Sequence, residues 1–279
     1  MKLTYLGTAA AEGWPAVYCN CDHCVRARKA GGKNIRTRSQ ALINDDMLID
    51  YPGDTYMHEL LHGFDLSAIK NIIVTHAHLD HFEPLDMHFR HPDYYCHNRT
   101  SDVVDIYGSK DVVAKYERMI RKTDYDEAAV DGTHMHLIEA YKPTLLGDYT
   151  VTAMKANHAQ PQDAYVYIVT DGKSTLLYLH DTGLLFDEVY DYLAANHIRA
   201  DLVSYDCTYG ALPSGGGHLG LDSCPVVRER LREIGVVDDK TVNVINHFSH
   251  NGKLIYDELV PVAAENGFLV SYDGMQIEF

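Results

Sequence analysis

The acidity of the chain excludes some functions before any motif is considered. Its 279 residues carry a formal charge of −16, which argues against a long nucleic acid as partner, because polyanions bind clusters of Lys and Arg. With 46% hydrophobic and 23% charged residues, the chain can bury a sizeable core. No apolar run approaches the roughly 18 residues of a membrane helix and no signal peptide is recognisable, so we expect a cytoplasmic protein with no membrane partner.

Short apolar runs bounded by turn residues predict β-strands along the whole chain. They lie at Leu3–Leu6, Ala41–Ile43, Met47–Ile49, Ile72–Val74, Val103–Tyr107, Tyr149–Ala153, Tyr165–Val169, Leu176–Leu179, Leu202–Tyr205 and Val242–Ile245. Helical periodicity predicts helices at Asp111–Arg121, Phe186–Ala195, Cys224–Ile234 and Lys253–Ala264. Strands in both halves with helices between them predict an α/β (α+β) protein of stacked sheets. Because no Pro- or Ser-rich linker interrupts residues 1–279, we expect one domain.

The densest chemical motif is the stretch THAHLDH at residues 75–81, directly after a predicted strand. In an extended segment, side chains two residues apart point the same way, so His76 and His78 can bind one cation. Asp80 and His81, which we place at the start of a helix, can turn toward a second cation. Imidazole with carboxylate favours zinc, manganese or iron over calcium or magnesium. The competing interpretation is a solvated loop, since the chain has 17 His.

Three further candidate ligands come directly after later predicted strands. His158 follows the strand that ends near Ala156, while Asp181 and His247 follow Leu176–Leu179 and Val242–Ile245. Loops at one edge of a rigid sheet commonly build a site, so we expect these side chains to join the first motif. Taken singly, each one is better explained as a cap or a turn residue.

With these residues in this order, the chain resembles the metallo-β-lactamase superfamily of hydrolases. The resemblance implies a four-layer αββα sandwich with a dinuclear site at the edge of the sheets. By this resemblance one metal takes His76, His78 and His158, the second takes Asp80, His81 and His247, and Asp181 bridges the two. It also implies that Asp50 orients the ligand loop through hydrogen bonds, although an ordinary turn carboxylate is the competing interpretation.

A second cluster is the stretch CNCDHC at residues 19–24, which predicts a zinc-binding loop. Three thiols in six residues are too close to serve as separate disulfide ends in a cytosolic protein, but they suit a tetrahedral zinc. His250, three residues after His247, is the preferred fourth ligand, with His23 as the alternative. A reduced cluster without metal is the competing explanation.

The cysteine element and the late His-x-x-His pair narrow the resemblance to the PhnP-like phosphodiesterases of the carbon–phosphorus lyase pathway. That resemblance assigns a structural zinc to Cys19, Cys21, Cys24 and His250. It also implies acid catalysis by His218, which follows Ser214 and three glycines and is otherwise an exposed loop residue. Asp80 and His218 are the catalytic candidates. The segment between His81 and His158 is longer than in the family pattern, and we expect its residues 83–148 to shape specificity.

These resemblances predict a metal-dependent phosphodiesterase. The expected substrate is a small anionic phosphodiester, such as a cyclic ribose or nucleotide phosphate, cleaved by a hydroxide shared between two divalent ions. Zinc or manganese is expected in the active site, with iron also compatible, and one further zinc is structural. The alternatives are a lactone, thioester or other carbonyl hydrolase on the same site, or a noncatalytic metal-binding scaffold. The oligomeric state is left open, with a homodimer as one option.

Overall fold

The strands form two sheets of seven in the computed structural model, which describes residues 1–91, 95–120 and 132–279. The first sheet contains β1 (Lys2–Gly7), β2 (Gln40–Ile43), β3 (Met47–Ile49), β4 (Asn71–Ile73), β5 (Val104–Gly108), β6 (Thr133–Leu137) and β14 (Met275–Glu278). The second contains β7 (Thr144–Leu146), β8 (Tyr149–Lys155), β9 (Tyr165–Thr170), β10 (Thr175–Leu179), β11 (Leu202–Asp206), β12 (Val242–Asn246) and β13 (Leu269–Val270). Their spatial orders are β14-β1-β2-β3-β4-β5-β6 and β13-β12-β11-β10-β9-β8-β7.

Helices cover the outer faces of both sheets. They are α1 (Asp22–Ala30), α2 (Thr55–His62), α3 (Lys110–Ile120), α4 (Asp187–Ala195), α5 (Cys224–Glu233) and α6 (Tyr256–Glu265). On the first sheet, Val112 and Tyr116 of α3 pack against Ile72 and Ile106. On the second sheet, α4, α5 and α6 contribute to one apolar cluster with strands β9–β12.

A third apolar cluster lies between the two sheets. It joins Leu3, Tyr5 and Ile49 of the first sheet to Tyr167 and Tyr178 of the second, all fully buried. Alternating side chains therefore give each sheet one face toward the other sheet and one toward its helices. The layers are helix, sheet, sheet and helix, and the predicted αββα sandwich is confirmed.

The strand directions bring several loops to one edge of the sandwich. In the first sheet β3 to β6 run parallel, and in the second sheet β10 to β13 run parallel. The carboxyl ends of parallel strands meet at the same edge of a sheet. Asp50, Thr75, His180 and His247 follow β3, β4, β10 and β12 within two residues, so the motif-bearing loops of both sheets open on that edge.

The predicted strands are confirmed to within two residues at each end. Several further strands and helices of the structure were not predicted from the sequence. The helix α1 begins at Asp22, inside the predicted zinc loop, and it lacked a helical signal because Cys24 and Ala27 are its only buried residues. The prediction of a helix beginning at Asp80 and His81 is wrong, since both lie in a turn and the next helical segment begins at Pro84. The last predicted helix starts at Tyr256 rather than Lys253, whose φ of 74° is left-handed. Arg121, the predicted end of α3, lies outside the described residues.

Within the described ranges, no helix has the length and apolarity needed to cross a bilayer.

Candidate metal centre

The first motif folds back on itself directly after β4. The backbone N–H and the hydroxyl of Thr75 donate to the buried Asp50 carboxylate at 2.8 and 2.9 Å. Nδ1 of His81 donates to the other oxygen of Asp50 at 2.7 Å. On the far side, the ammonium of Lys115 in α3 donates to the carbonyls of Ala77 and His78. These bonds hold the turn so that its imidazoles face the sheet edge. Asp50 lies where the resemblance to the superfamily placed a residue that orients the ligand loop.

One group of potential ligands forms around His76. Its ring lies 4.4 Å from that of His78 and 4.9 Å from that of His158, measured between centroids. The Nε2 atom of His158 lies 3.3 Å from Nδ1 of His78, and the Nε2 atom of His76 lies 3.2 Å from Oδ2 of Asp181. One donor atom from each of these four residues lies within 4.8 Å of the others. The spacing is that of a single cation site.

A second group forms around His81. Its Nε2 atom lies 3.2 Å from Oδ2 of Asp80, 2.8 Å from Oδ2 of Asp181 and 3.3 Å from Nε2 of His247. The donor atoms of this group also lie within 4.8 Å of one another. Asp181 belongs to both groups. The seven residues predicted for a dinuclear site are therefore brought together, with the shared carboxylate in the predicted place.

The chemistry of these donors fits bound cations. Because Nδ1 of His81 donates to Asp50, the Nε2 atom of the neutral ring turns its lone pair toward the Asp80 and Asp181 carboxylates, a repulsion that either a proton or a bound cation relieves. Nε2 of His76 and Oδ1 of Asp181 are buried and have no hydrogen-bond partner among the described residues, an arrangement that is costly unless the atoms are ligated. The residues present therefore fit divalent metal ions.

The titration behaviour of two donors, His76 and Asp181, agrees with this fit. Burial, aided by the neighbouring His81, lowers the pKa of His76 well below its usual value, which keeps that imidazole neutral. Burial alone would raise the pKa of Asp181, but the surrounding imidazoles lower it well below its usual range. A neutral imidazole and an ionised carboxylate are the forms that bind metals. Burial would lower the pKa of His81 and His247, but the neighbouring carboxylates raise it and favour protonated rings until a cation binds.

Three residues at this edge have left-handed backbone conformations. Asp50, Asp181 and His247 have φ values of 68°, 51° and 63°. This region is disfavoured for residues with a Cβ and concentrates at functional sites, where the surrounding structure enforces it. Each of these residues follows a strand closely, so the conformation turns its side chain toward the centre as the chain leaves the sheet.

His218 lies over the two groups as a separate element of the site. Its Nδ1 atom is 3.1 Å from Oδ2 of Asp206, 3.2 Å from the hydroxyl of Thr208 and 3.4 Å from Oδ1 of Asp181. Its Nε2 atom makes none of these contacts. Burial alone would lower the pKa of His218, but the Asp206 hydrogen bond and the charges of Asp206 and Asp181 raise it to about 9.

The sequence analysis missed Asp206 and Thr208. Asp206 is fully buried, and although burial opposes it, hydrogen bonds from His218 and His247 lower its pKa to about 2. The Thr208 hydroxyl lies 2.8 Å from Nδ1 of His247 and so links the two imidazoles. One sequence signal was available for Asp206, because it ends an apolar strand much as Asp50 and Asp181 do.

The glycine run before His218 positions His158. Nδ1 of His158 donates to the carbonyl of Gly217 at 3.1 Å, which leaves its Nε2 atom facing the centre. A Cβ built on Gly217 would lie 2.7 Å from Nδ1 of His158, so only glycine allows this approach. The glycine run thus holds a potential ligand in place.

The cysteine cluster assembles at a second place, beside the first. One donor atom from each of Cys19, Cys21, Cys24 and His250 lies within 4.8 Å of the others. Nδ1 of His250 is 3.4 Å from the Cys21 sulfur, and this contact lowers the pKa of the Cys21 thiol to about 6. The alternative His23 is instead bound by Arg26, 2.7 Å from its Nδ1 atom. Three thiols and one imidazole are a donor set that fits structural zinc.

A sandwich with His- and Asp-lined cation sites at its edge defines a metal-dependent hydrolase of the β-lactamase type. The family model described as the β-lactamase superfamily domain matches residues 52–234, and the chain belongs to the metallo-β-lactamase superfamily. No curated protein matches the sequence at a significant level.

Among the solved structures that share this fold, three match over nearly their whole length. A diphosphatase of the PhnP family has a TM-score of 0.75 at 19% identity, covering 100% of this chain and 97% of its own. PqqB from Methylobacterium extorquens, in its zinc-bound form, has a TM-score of 0.76 at 16% identity, covering 100% of both chains. Yeast PDE1 has a TM-score of 0.68 at 13% identity, covering 100% of this chain and 99% of its own. At these identities the likeness concerns the fold.

Proposed function

We propose that this chain is a metal-dependent phosphodiesterase that hydrolyses small anionic phosphodiesters. The observation that carries the proposal is the His218–Asp206 pair beside the two cation groups. When a phosphodiester of a sugar or alkyl alcohol is hydrolysed, the leaving group is an alkoxide, which leaves poorly. The reaction therefore benefits from a proton donor that is not itself a metal ligand. The fold shared with a PhnP-family diphosphatase and with yeast PDE1 supports the same choice.

Two divalent ions would be held by the seven donors. His76, His78 and His158 would hold one, Asp80, His81 and His247 would hold the other, and Asp181 would contribute to both. Such ions would lower the pKa of water and neutralise phosphoryl oxygens. We propose zinc or manganese, because imidazole and carboxylate accept both.

The residues around these ions have separate tasks. Asp206 accepts from Nδ1 of His218, which fixes the ring and leaves Nε2 to donate a proton to the departing alcohol. Asp50 fixes the ring of His81, and the carbonyl of Gly217 fixes that of His158, so both present Nε2 inward. Such supporting bonds keep the ligands in one orientation and are commonly worth 10- to 100-fold in metal affinity or activity.

A substrate panel tests the proposal directly. The zinc- or manganese-loaded protein is offered bis-nitrophenyl phosphate, a cyclic ribose phosphate and a lactone, with the His158→Ala variant as control. We expect both phosphate esters to be cleaved and the variant to be inactive with reduced metal content. Faster cleavage of the lactone would indicate a carbonyl hydrolase. No cleavage of any ester by fully loaded protein would indicate a scaffold.

The cysteine site completes the proposal. We propose that zinc on Cys19, Cys21, Cys24 and His250 is structural. His250 follows His247 by three residues, so this zinc would tie the N-terminal segment to the loop that carries a catalytic-site ligand. We place the protein in the cytoplasm, acting on a small molecule rather than on a long nucleic acid.

A further inference from the structure

A third cluster of metal-binding side chains lies on the first sheet, away from the catalytic centre. Its members are Asp105 of β5 and His134 and His136 of β6. In the register of the two parallel strands, Asp105 is opposite His134, and Tyr107 is opposite His136. Side chains two residues apart share a face, so all four project from the same face of the sheet.

The donor atoms of this cluster already converge. Oδ1 of Asp105 lies 2.7 Å from Nε2 of His136 and 3.4 Å from Nδ1 of His134. One donor atom from each residue lies within 4.8 Å of the other two. The ring of Tyr107 stacks on His136 at 4.7 Å with an interplanar angle of 19°, which restricts the imidazole to one orientation.

The cluster is open to solvent on one side. β6 is the edge strand of its sheet, and the side chains of Asp105, His134 and His136 are 33%, 56% and 43% exposed. Asp105 is the second residue of β5, whereas the catalytic centre lies beyond the carboxyl ends of the parallel strands. The cluster is therefore separate from the site already described, and an ion there could keep one position for water.

We propose that Asp105, His134 and His136 form a third, surface metal site that binds one zinc-class divalent ion per chain. Two imidazoles and one carboxylate match zinc and its neighbours nickel and copper, while calcium and magnesium prefer oxygen ligands throughout. The bound ion joins β5 to β6 and so stabilises the edge of the sheet. This inference goes beyond the proposed hydrolase function and does not depend on it.

The test is a titration of metal-replete protein with Zn²⁺ alone. After the catalytic and cysteine sites are filled and excess metal is removed, calorimetry should show one additional site per chain. The double variant His134→Gln with His136→Gln should lose that site, and Asp105→Asn should weaken it at least tenfold. His197→Gln, which removes an exposed imidazole elsewhere, should bind as the wild type does.

Thermal stability supplies a second measurement that does not use activity. Zn²⁺ added to replete wild type should raise Tm by mass action on the folded state, and the double variant should show no such rise. The proposal is overturned if wild type and double variant bind the same number of ions with the same change in Tm. The three side chains would then be an Asp–His hydrogen-bond cluster only.

Discussion

At the scale of single residues, the site depends on the atoms that orient its functional side chains as well as on those side chains. His218 illustrates this, because its ring could rotate or exchange tautomers without the buried carboxylate of Asp206 against Nδ1. Replacing that carboxylate keeps the shape of the site but removes the acceptor that selects the tautomer.

We therefore predict that Asp206→Asn acts through the leaving group. Hydrolysis of a phosphodiester with an alkoxide leaving group should fall by roughly 10²- to 10⁴-fold, the usual worth of general acid catalysis. Cleavage of a nitrophenyl ester, whose leaving group needs no proton, should fall much less. Steady-state kinetics on the two esters with Asp206→Asn, His218→Ala and the double variant make the measurement. Equal losses on both esters would remove the pair from the acid role.

A second residue-scale prediction concerns Gly217. In Gly217→Ala the new methyl group would meet Nδ1 of His158 at 2.7 Å, so the imidazole must leave its place. We expect lower metal content and at least a tenfold loss of activity, with little change in the Tm of the metal-free protein. The matched control is Gly215→Ala, where a Cβ meets nothing within 4 Å. If both variants retain full metal content, Gly217 does not position His158.

At the scale of elements, hydrophobic periodicity predicted the strands and helices that bury many apolar side chains. It failed for elements that bury few. The strands β3 and β10 are continuous apolar runs, and their bounds were predicted closely. In contrast, β6 reads THMHL, whose polar alternation carries little apolar signal, and α1 buries only Cys24 and Ala27. The ligand-bearing turn after β4 was misread as a helix start, because hydrogen bonds to Asp50 decide its path, and that residue is distant in sequence.

A stability prediction concerns the cysteine cluster, which brings the start of α1 next to the loop that follows β12. Cys21 precedes α1, and His250 approaches it from the other end of the chain. Cys21→Ser should release one zinc per chain and lower Tm by several degrees, while the rate of ester hydrolysis at low temperature changes little. Metal analysis and calorimetry check this, with Cys96→Ser as control. An unchanged Tm with full zinc content would contradict a structural role.

His58 in α2 predicts a pH dependence of stability. Its imidazole is buried against Gln40 and Thr37, and burial lowers its pKa to about 4 from a usual 6.5. The unfolded chain therefore binds this proton more readily, so stability is lost as pH falls through the interval from about 6.5 to 4. Between pH 7.5 and 5 the loss amounts to about 2 kcal/mol.

Urea unfolding of wild type and His58→Gln at both pH values isolates this contribution. The metal-binding histidines titrate in both proteins and cancel in the comparison. We expect the free energy of unfolding of the variant to change by about 2 kcal/mol less than that of the wild type over this interval. Parallel pH profiles would show that His58 is protonated with equal ease in both states.

At the scale of the whole molecule, sequence reasoning located the main donors because they follow strands. The carboxyl ends of parallel strands lie at one edge of a sheet, so these residues come together there. The family resemblance predicted which donors belong to which metal. Sequence reasoning could not predict which residues without a shared motif lie close together in the folded chain. Asp206 against His218, Gly217 against His158 and Asp105 against His136 all arise from register and loop packing, which no local pattern encodes.

The division of donors between the sheets has a consequence for how the protein matures. His76, His78, Asp80 and His81 come from the first sheet, whereas His158, Asp181 and His247 come from the second. A half-folded chain that has built only one sheet offers an incomplete set and holds ions weakly. If the proposed ions bind, tight loading would report that the two halves have docked, and a chelator present during synthesis or refolding would withdraw free energy that favours this docking.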